Sequence, residues 1–559
     1  ARCIDRRDWS GVLKCSPKVK ALAGCISTCC SSPGACTAPR AAAMLRRFLQ
    51  LGAVAGTSGA TYLALQNNQW DVSNIGIVRF GRAAATVSRI ACDYKFATMG
   101  MVKDSEEYAK ARSEVHQRSA ERLLHLCCVN GGVFIKVGQH VGALDYLLPE
   151  EYVRTLRVLH SKAPASPLHS ILQVLREDLG QDPEEVFSGF SERPIGAASL
   201  AQVHRATLRA TGETVAVKVQ HPSVLGNSLV DIATMELLVN IVAKLFPEFS
   251  LMWLAEETKR NLPLELDFVN EAHNTERVRR MFTHFPWLEV PRIHWDLTTR
   301  RVMTMQFCEG GQVNDRAYLE QHGISATEVS DCLGQLYSEM IFVQGYVHCD
   351  PHPGNLLVRQ GSQGPTLVLL DHGLYTELTD QFRLQYANLW LALIRRDLES
   401  LERWGKQLGV SGELHKVLSC IVSGRSWKSI TQGIDRQKQT KAEGSEIKEF
   451  ASQHFPLISQ ILGMVPRQML LIFKTNDLLR GIETNLGTRG AARSFITMSR
   501  CCVRAVYEDQ LKHCASWWCR LVTTMRACLA QSAITAYQTL LWLRTRPLVG
   551  RMLGGSNLP

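Results

Sequence analysis

The chain has 559 residues, a mass of 62.4 kDa, 45% hydrophobic and 21% charged residues, and a net charge of +11. That composition excludes a disordered polar chain, a coiled coil and a fibrous repeat, and at about 150 residues per domain the length predicts three to four domains. Mean hydropathy of -0.06 excludes a polytopic membrane protein while leaving room for one or two spans. The charge is uneven: residues 1–43 carry seven Lys/Arg against two acids, and residues 493–559 carry nine against two. The stretch between is nearly neutral. Basic ends on a neutral body point to targeting or membrane contact. They argue against a groove that tracks nucleic-acid phosphates.

Six of the 18 cysteines stand in the first 43 residues, and the rest show no C-x-x-C spacing, so no zinc site and reduced thiols are expected. Residues 1–43 mix Cys, Ser, Pro, Gly and Ala without a hydrophobic period, and the first methionine is Met44. They are expected to lie outside the fold. From Met44 the text reads MLRRFLQLGAVAGTSGATYLALQNNQW, with Arg46 and Arg47 ahead of an uncharged stretch to Trp70. An Arg-rich, acid-poor start followed by a weak apolar helix over 48–65 fits a mitochondrial address and a possible membrane helix within 44–70.

Residues 71–180 read as a helical extension, broken at Gly131-Gly132. A hairpin follows, with strands over 200–206 and 214–219 around Thr211-Gly212, and a further strand over 300–307. Ser325-Ala-Thr-Glu328 is a capping box. It opens a helix whose face carries Val329, Cys332, Leu333, Leu336, Tyr337 and Met340 and which ends near Gly345. Two short strands frame Gly361–Pro365. The predicted divisions are a small lobe over 181–310, a large lobe over 311–492 and a basic helical tail over 493–559. Within the tail, Ala527–Leu543 has no charge and reads as a borderline span or an interfacial helix.

The chemistry concentrates in His348-Cys349-Asp350-Pro351-His352-Pro353-Gly354-Asn355, directly after the capped helix. Leu370-Asp371-His372-Gly373 follows at the end of an apolar strand, and Lys218 closes a strand of the hairpin far upstream. A strand lysine, an Asp…Asn loop and an Asp-Gly turn after a strand are the components of phosphoryl transfer. The lysine neutralises phosphate charge, Asn355 and Asp371 hold Mg²⁺, and Asp350 orients or deprotonates the attacking hydroxyl. Each motif alone is weak; the ordered set is specific. The competing reading, an iron site built from His348, Asp350 and His352, leaves Lys218, Asn355 and Asp371 without a role. His140 and His221 read as structural.

The set resembles the UbiB/aarF-domain (ADCK) family of atypical kinases over about 70–500, and within it the animal mitochondrial members. The marks are Lys136-Val137-Gly138-Gln139, the alanine-rich loop Gly196-Ala197-Ala198-Ser199-Leu200-Ala201-Gln202-Val203-His204, Glu265-Leu266-Asp267, and the HCDPHPGN loop with its DHG partner. The resemblance implies an α/β (α+β), two-lobed protein-kinase-like fold with a helical N-terminal extension and a helical C-terminal tail. It implies ATP or ADP with Mg²⁺ as ligands, contacted by Gly196, Ala197, Ala198, Ser199, Lys218 and the backbone of Met305, Gln306, Phe307 and Cys308. Gln306 departs from the glutamate common there. Glu271 takes the ion-pair role with Lys218, and the extension folds over the site, where Lys136 and Gln139 regulate it through Glu265 and Asp267. In this reading Glu265 to Glu271 is one helical stretch, with Asp267 and Glu271 on one face. Cys349 is expected to be open to alkylation. The resemblance further implies a mitochondrial, membrane-associated kinase or ATPase linked to mitochondrial organisation, lipid homeostasis or ubiquinone metabolism. A nucleotide-gated scaffold without transfer is the alternative. Expected partners are nucleotide and a mitochondrial membrane or lipid, not nucleic acid.

Residue physics adds one point. Cβ atoms at Ala197 and Ala198 narrow the backbone range that a glycine loop would have, so this loop should be stiffer than its glycine counterpart.

Overall fold

The computed structural model describes residues 75–102, 105–142, 148–160, 164–245, 252–433, 455–488 and 492–544, with 443 and 446–447. The expectations for 1–43 and for the apolar helix over 48–65 lie outside the described residues. The N-terminal extension is α1 (Gly76–Ala97), α2 (Glu106–Asn130), α3 (Val133–Gly142) and α4 (Glu150–Leu156). Then come α5 (Leu168–Leu179), β1 (Phe187–Phe190), β2 (Gly196–Ala197), β3 (Ala201–Leu208) and β4 (Thr214–Gln220). Next are α6 (Val224–Leu245), α7 (Met252–Glu265), α8 (Phe268–Met281), β5 (Leu288–Glu289) and β6 (Val302–Gln306). The remainder is β7 (Gly311–Gln312), α9 (Ala326–Ser338), β8 (Tyr346–His348), β9 (Leu356–Gly361), β10 (Gly364–Leu369) and β11 (Tyr375–Glu377). It closes with α10 (Asp380–Arg395), α11 (Leu414–Ser423), α12 (Phe455–Met464), α13 (Arg467–Leu486), α14 (Ala492–His513) and α15 (Trp517–Arg544).

The small lobe is one antiparallel sheet in the order β1-β3-β4-β6, with β2 added on β3. Its period of two decides what faces what. Val215, Val217 and Val219 of β4 point to one side, into a cluster with Ile171, Val174 and Leu175 of α5. Ala216 points to the other side, with Ala201, Phe268, Ala272, Met303 and Met305. Lys218 shares that second face, so alternation alone aims it at α8 and the interlobe cleft. The predicted hairpin is present, with Gly212 at φ 72° in its turn.

The large lobe is mostly helical. The short sheet β5-β10-β9-β7 and the β8–β11 pair lie against its core. Ser325 caps α9 by accepting from the Glu328 amide at 3.4 Å, as the capping box predicts. The helix does not run unchanged to Gly345. At Glu339 it widens into a π turn over Glu339–Gln344 that ends on Gly345 at φ 66°. Buried Glu339 there pairs with Arg504 of α14. Cys501, Cys502, Val503 and Ala505 of α14 are core residues, so the segment after 492 begins as part of the large lobe. Among the described residues no helix is long and apolar enough to cross a membrane. One thiol expectation is corrected: Cys514 and Cys519 form a disulfide, because the tight turn between α14 and α15 brings their Cα atoms to 5.6 Å. The other described cysteines are free.

The extension is tied down by a buried fork. Arg79 of α1 donates through Nε and Nη2 to both oxygens of Asp231 on α6, at 2.8 and 2.5 Å, and through Nη1 to the Asn130 carbonyl. Gly131 at φ 65° then turns the chain from α2 into α3.

Candidate active site

Every residue given a catalytic, nucleotide-binding, metal-holding or regulatory role by the sequence, except Asp267, lines one cavity of about 1470 Å³ between the lobes. Lys218 places Nζ 2.6 Å from Glu271 Oε1 and 3.2 Å from Asp371 Oδ2. Asp371 leaves β10, and its Oδ1 accepts from the Gly373 amide at 2.9 Å. A Cβ at Gly373 would stand 3.2 Å from that oxygen, a tight approach that a larger residue would make only if the carboxylate shifted. His372 is fully buried, bonding Leu369 O through Nε2 and the Tyr375 hydroxyl through Nδ1.

The loop after β8 is locked by its own backbone. Cys349 N donates to Leu374 O, His352 N to Asp350 O, and Asn355 N to His352 O, with Asn355 Nδ2 on Asp350 O at 3.1 Å. Pro351 and Pro353 remove competing donors and restrict φ. His348 is buried on the Tyr337 hydroxyl at 2.9 Å, and no three-residue metal cluster occurs among the described residues. The iron reading therefore falls. Cys349 is also fully buried, and burial pushes its thiol up to about 12, which corrects the expectation of alkylation.

Asp350 faces two ammonium groups. Lys474 of α13 stands 2.9 Å from Oδ1, and Lys136 of α3 stands 3.7 Å from Oδ2. Burial alone would raise this carboxyl, but Lys474 and then Lys136 outweigh it and hold it well below the usual range. Lys136 also lies 2.6 Å from Glu265. Burial raises Glu265 against the opposing pull of Lys136, and it raises Glu271 to about 7 against that of Lys218. Asp371 is held well below the usual range: Lys218 and the Gly373 amide overcome its burial.

The Lys136 helix fits closely because its motif is small at one position. A Cβ at Gly138 would come 2.4 Å from Leu159 Cδ1 and 3.0 Å from Cys127 Sγ. Gln139 Nε2 donates to Leu159 O at 3.0 Å and fixes the helix from the same side. Glycine and glutamine dock the element; lysine reaches the site.

Asp267 does not join this group. The chain from Glu265 to Glu271 is two helices, α7 and α8, and Asp267 is the N-cap between them at φ -116°, ψ 98°. Its Oδ1 accepts from the Val269 amide at 3.1 Å, and its Oδ2 lies 3.7 Å from Arg300. Aspartate competes for nearby backbone donors and so terminates helices as readily as it sits in them. The shared face with Glu271 is lost there.

The alanine-rich loop is a strand edge. Gly196 and Ala197 pair with Val203 and Gln202, and Ala198 N donates to Ala201 O at 2.8 Å. His221 supports it from behind, with Nε2 on Ala198 O at 3.1 Å and Nδ1 on Ser166 Oγ at 2.9 Å, the structural role expected of it. Met305 and Gln306 end β6 beside it. The Gln306 amide group is turned to Glu289 at 3.3 Å, and Met305 to Cys308 line the cavity.

Sequence reasoning missed Lys474. It lies in an ordinary helix with no motif around it, and only the packing of α13 on the large lobe brings it to Asp350. Three ammonium groups, on Lys136, Lys218 and Lys474, thus meet four carboxylates, on Glu265, Glu271, Asp350 and Asp371. The carboxylate of Asp371 and the amide oxygen of Asn355 are hard donors suited to a divalent cation.

A family model described as the ABC1 atypical kinase-like domain matches residues 158–404. The AarF domain-containing protein kinase 1 of Gallus gallus is 52% identical over 503 residues, covering 90% of this chain and 96% of that protein. The Mus musculus protein of that name is 51% identical over 519 residues, with 91% and 98% covered. The AarF domain-containing kinase 1 of Drosophila melanogaster is 48% identical over 470 residues, with 84% and 90% covered. With the lysine–glutamate pair, the Asp…Asn loop and the Asp-His-Gly turn converging between two lobes, the chain belongs to the ABC1/AarF family of atypical kinases.

Proposed function

We propose that the interlobe cavity binds ATP or ADP with Mg²⁺ and that the protein transfers or hydrolyses the terminal phosphoryl group. The observation that carries this reading is the position of Lys218, 2.6 Å from Glu271 and 3.2 Å from Asp371. In kinase chemistry the lysine–glutamate pair and the aspartate at the metal must both be in place. Asp371 and Asn355 would hold the metal ion, which supplies neutralisation of phosphate charge. Lys218 meets the α/β-phosphates, and the backbone of Met305 to Cys308 meets the base. Asp350, ionised at neutral pH, orients an acceptor hydroxyl and is a weak base.

A second reading has its own observation. Lys136 and Lys474 both engage Asp350, and Lys136 occupies the cleft where an acceptor would approach. That arrangement suits a nucleotide-gated scaffold with little transfer. The discriminating experiment titrates Mg·ATP into the purified protein and into Asp371→Asn, and follows phosphate release. Tight Mg-dependent binding lost in the variant supports the site; undiminished affinity in a folded variant refutes it. Binding without phosphate release favours the scaffold.

The same proposal places the protein in mitochondria, associated with a membrane, and in mitochondrial organisation, lipid homeostasis or ubiquinone-linked metabolism. Arg46 and Arg47 ahead of an uncharged stretch support the address. Residues 44–82 fused to a reporter should reach mitochondria, and Arg46→Glu with Arg47→Glu should impair import. A cytosolic wild-type fusion rejects the address.

A further inference from the structure

We infer that α15 is a membrane-surface helix, and that its outward face docks the large lobe on an anionic lipid bilayer. This deepens the membrane association proposed above by assigning its surface, and it does not depend on phosphoryl transfer. At 100° per residue, Trp517, Leu521, Met525 and Leu529 follow one another at four-residue steps over an arc of about 120°, with Trp518 inside it and Leu540 about 20° past its edge. These six side chains are 74%, 43%, 57%, 68%, 60% and 41% exposed respectively. Burying them in protein was open to the fold, yet the opposite face was used. Ala530 and Ile534 pack on the core and Thr523 is buried, all on that opposite face, while Gln531 and Thr535, at the edge of the arc, bond to Arg500 of α14. The helix is therefore fixed by one side, and from Trp517 to Leu529 it is apolar on the other.

Three features choose a lipid surface as the occupant. From Trp517 to Arg544 the helix has no acidic residue, and its charges are Arg520, Arg526 and Arg544. Arg520 and Arg526 are exposed at the edges of the arc. Cations flanking an apolar arc complement an anionic bilayer, where each basic residue near the surface adds attraction. Second, the two tryptophans sit together at one end, ring centroids 5.4 Å apart, and indole favours the headgroup level. Third, among the described residues no helix, α15 included, is long and apolar enough to cross a membrane, and a helix lying along the surface needs no such length. The disulfide at its first turn and the Arg504–Glu339 pair of α14 hold this face to the large lobe, so contact with lipid fixes the orientation of the lobe.

The test is cosedimentation of the full chain with vesicles of phosphatidylcholine alone and with about one quarter phosphatidylglycerol. It compares wild type, Trp517→Ser with Trp518→Ser, and Arg520→Glu with Arg526→Glu. All four side chains are exposed, so thermal midpoints should match wild type and fold loss is separable. Wild type should prefer the anionic vesicles. The tryptophan pair should weaken binding about tenfold or more, and the arginine pair should abolish the preference for phosphatidylglycerol. Equal binding by wild type and both variants would remove α15 as the surface while leaving membrane association standing. No binding by wild type would reject both. A wild-type dimer that the tryptophan variant dissociates would show a second copy on this face and overturn the lipid assignment.

Discussion

Lys474 Nζ stands 2.9 Å from Asp350 Oδ1, so the residue in the catalytic-aspartate position is paired from a helix that carries no kinase motif. The pairing makes Asp350 a weaker base and keeps it ionised. Replacing Lys474 with methionine removes the largest of the effects that lower it. The folded-state value rises, and the acid limb of the pH–rate profile for phosphate release should move to higher pH. An unmoved limb in a folded Lys474→Met variant would show that the contact does not tune the site.

Lys136 bridges Glu265 and Asp350, whereas Asp267 caps a helix. Lys136→Ala should therefore raise autophosphorylation in matched ATP and Mg²⁺, and Glu265→Gln should shift it in the same direction. Asp267→Ala should leave transfer unchanged and cost about 1 kcal/mol of stability through the lost cap. Gain of transfer in Asp267→Ala equal to that in Lys136→Ala would restore the paired role that the sequence suggested.

Arg79 and Asp231 form a bidentate pair with side chains 3% and 2% exposed. Removing one partner leaves a buried charge uncompensated, so Arg79→Met should cost about 3–5 kcal/mol in urea unfolding, with α1 the first element to exchange its amides. A loss under about 1 kcal/mol would mean the pair is offset by its own desolvation.

Burial lowers His348 to about 4 and His372 to about 3. An unfolded chain protonates both near 6.5, so it binds more protons than the native state between those values and 6.5. Stability from these residues is complete above about pH 6.5 and is lost as pH falls through that window. The urea midpoint should drop on acidification from about pH 7 to about pH 5, at about 1 kcal/mol per unit or more. In His348→Asn with His372→Asn the slope should be shallower, whatever the absolute stability. An unchanged slope would assign acid lability to other groups.

Much of this molecule was determined by local pattern. Alternation along Thr214–Gln220 set both the strand and the face on which Lys218 stands. Gly131, Gly212 and the Ser325 cap marked their own turns. The order of Lys218, Asp350, Asn355 and Asp371 pointed to the family, because its kinase-like signature has those groups on strand, loop and turn. Short-range rules gave way where two backbone solutions were both open. Asp267 could sit in a helix or cap one, and Phe268 packing under the sheet with Ala216 and Met303 selected the cap. The thiol at Cys349 looked accessible only because burial is not written in a loop's composition. Tertiary packing alone decided the rest. Lys474 meets Asp350, Lys136 meets Glu265, and Arg79 meets Asp231 across spans for which no periodicity carries information. Such pairs form because buried charges must find a partner, and which partner is within reach is fixed by the docking of helices.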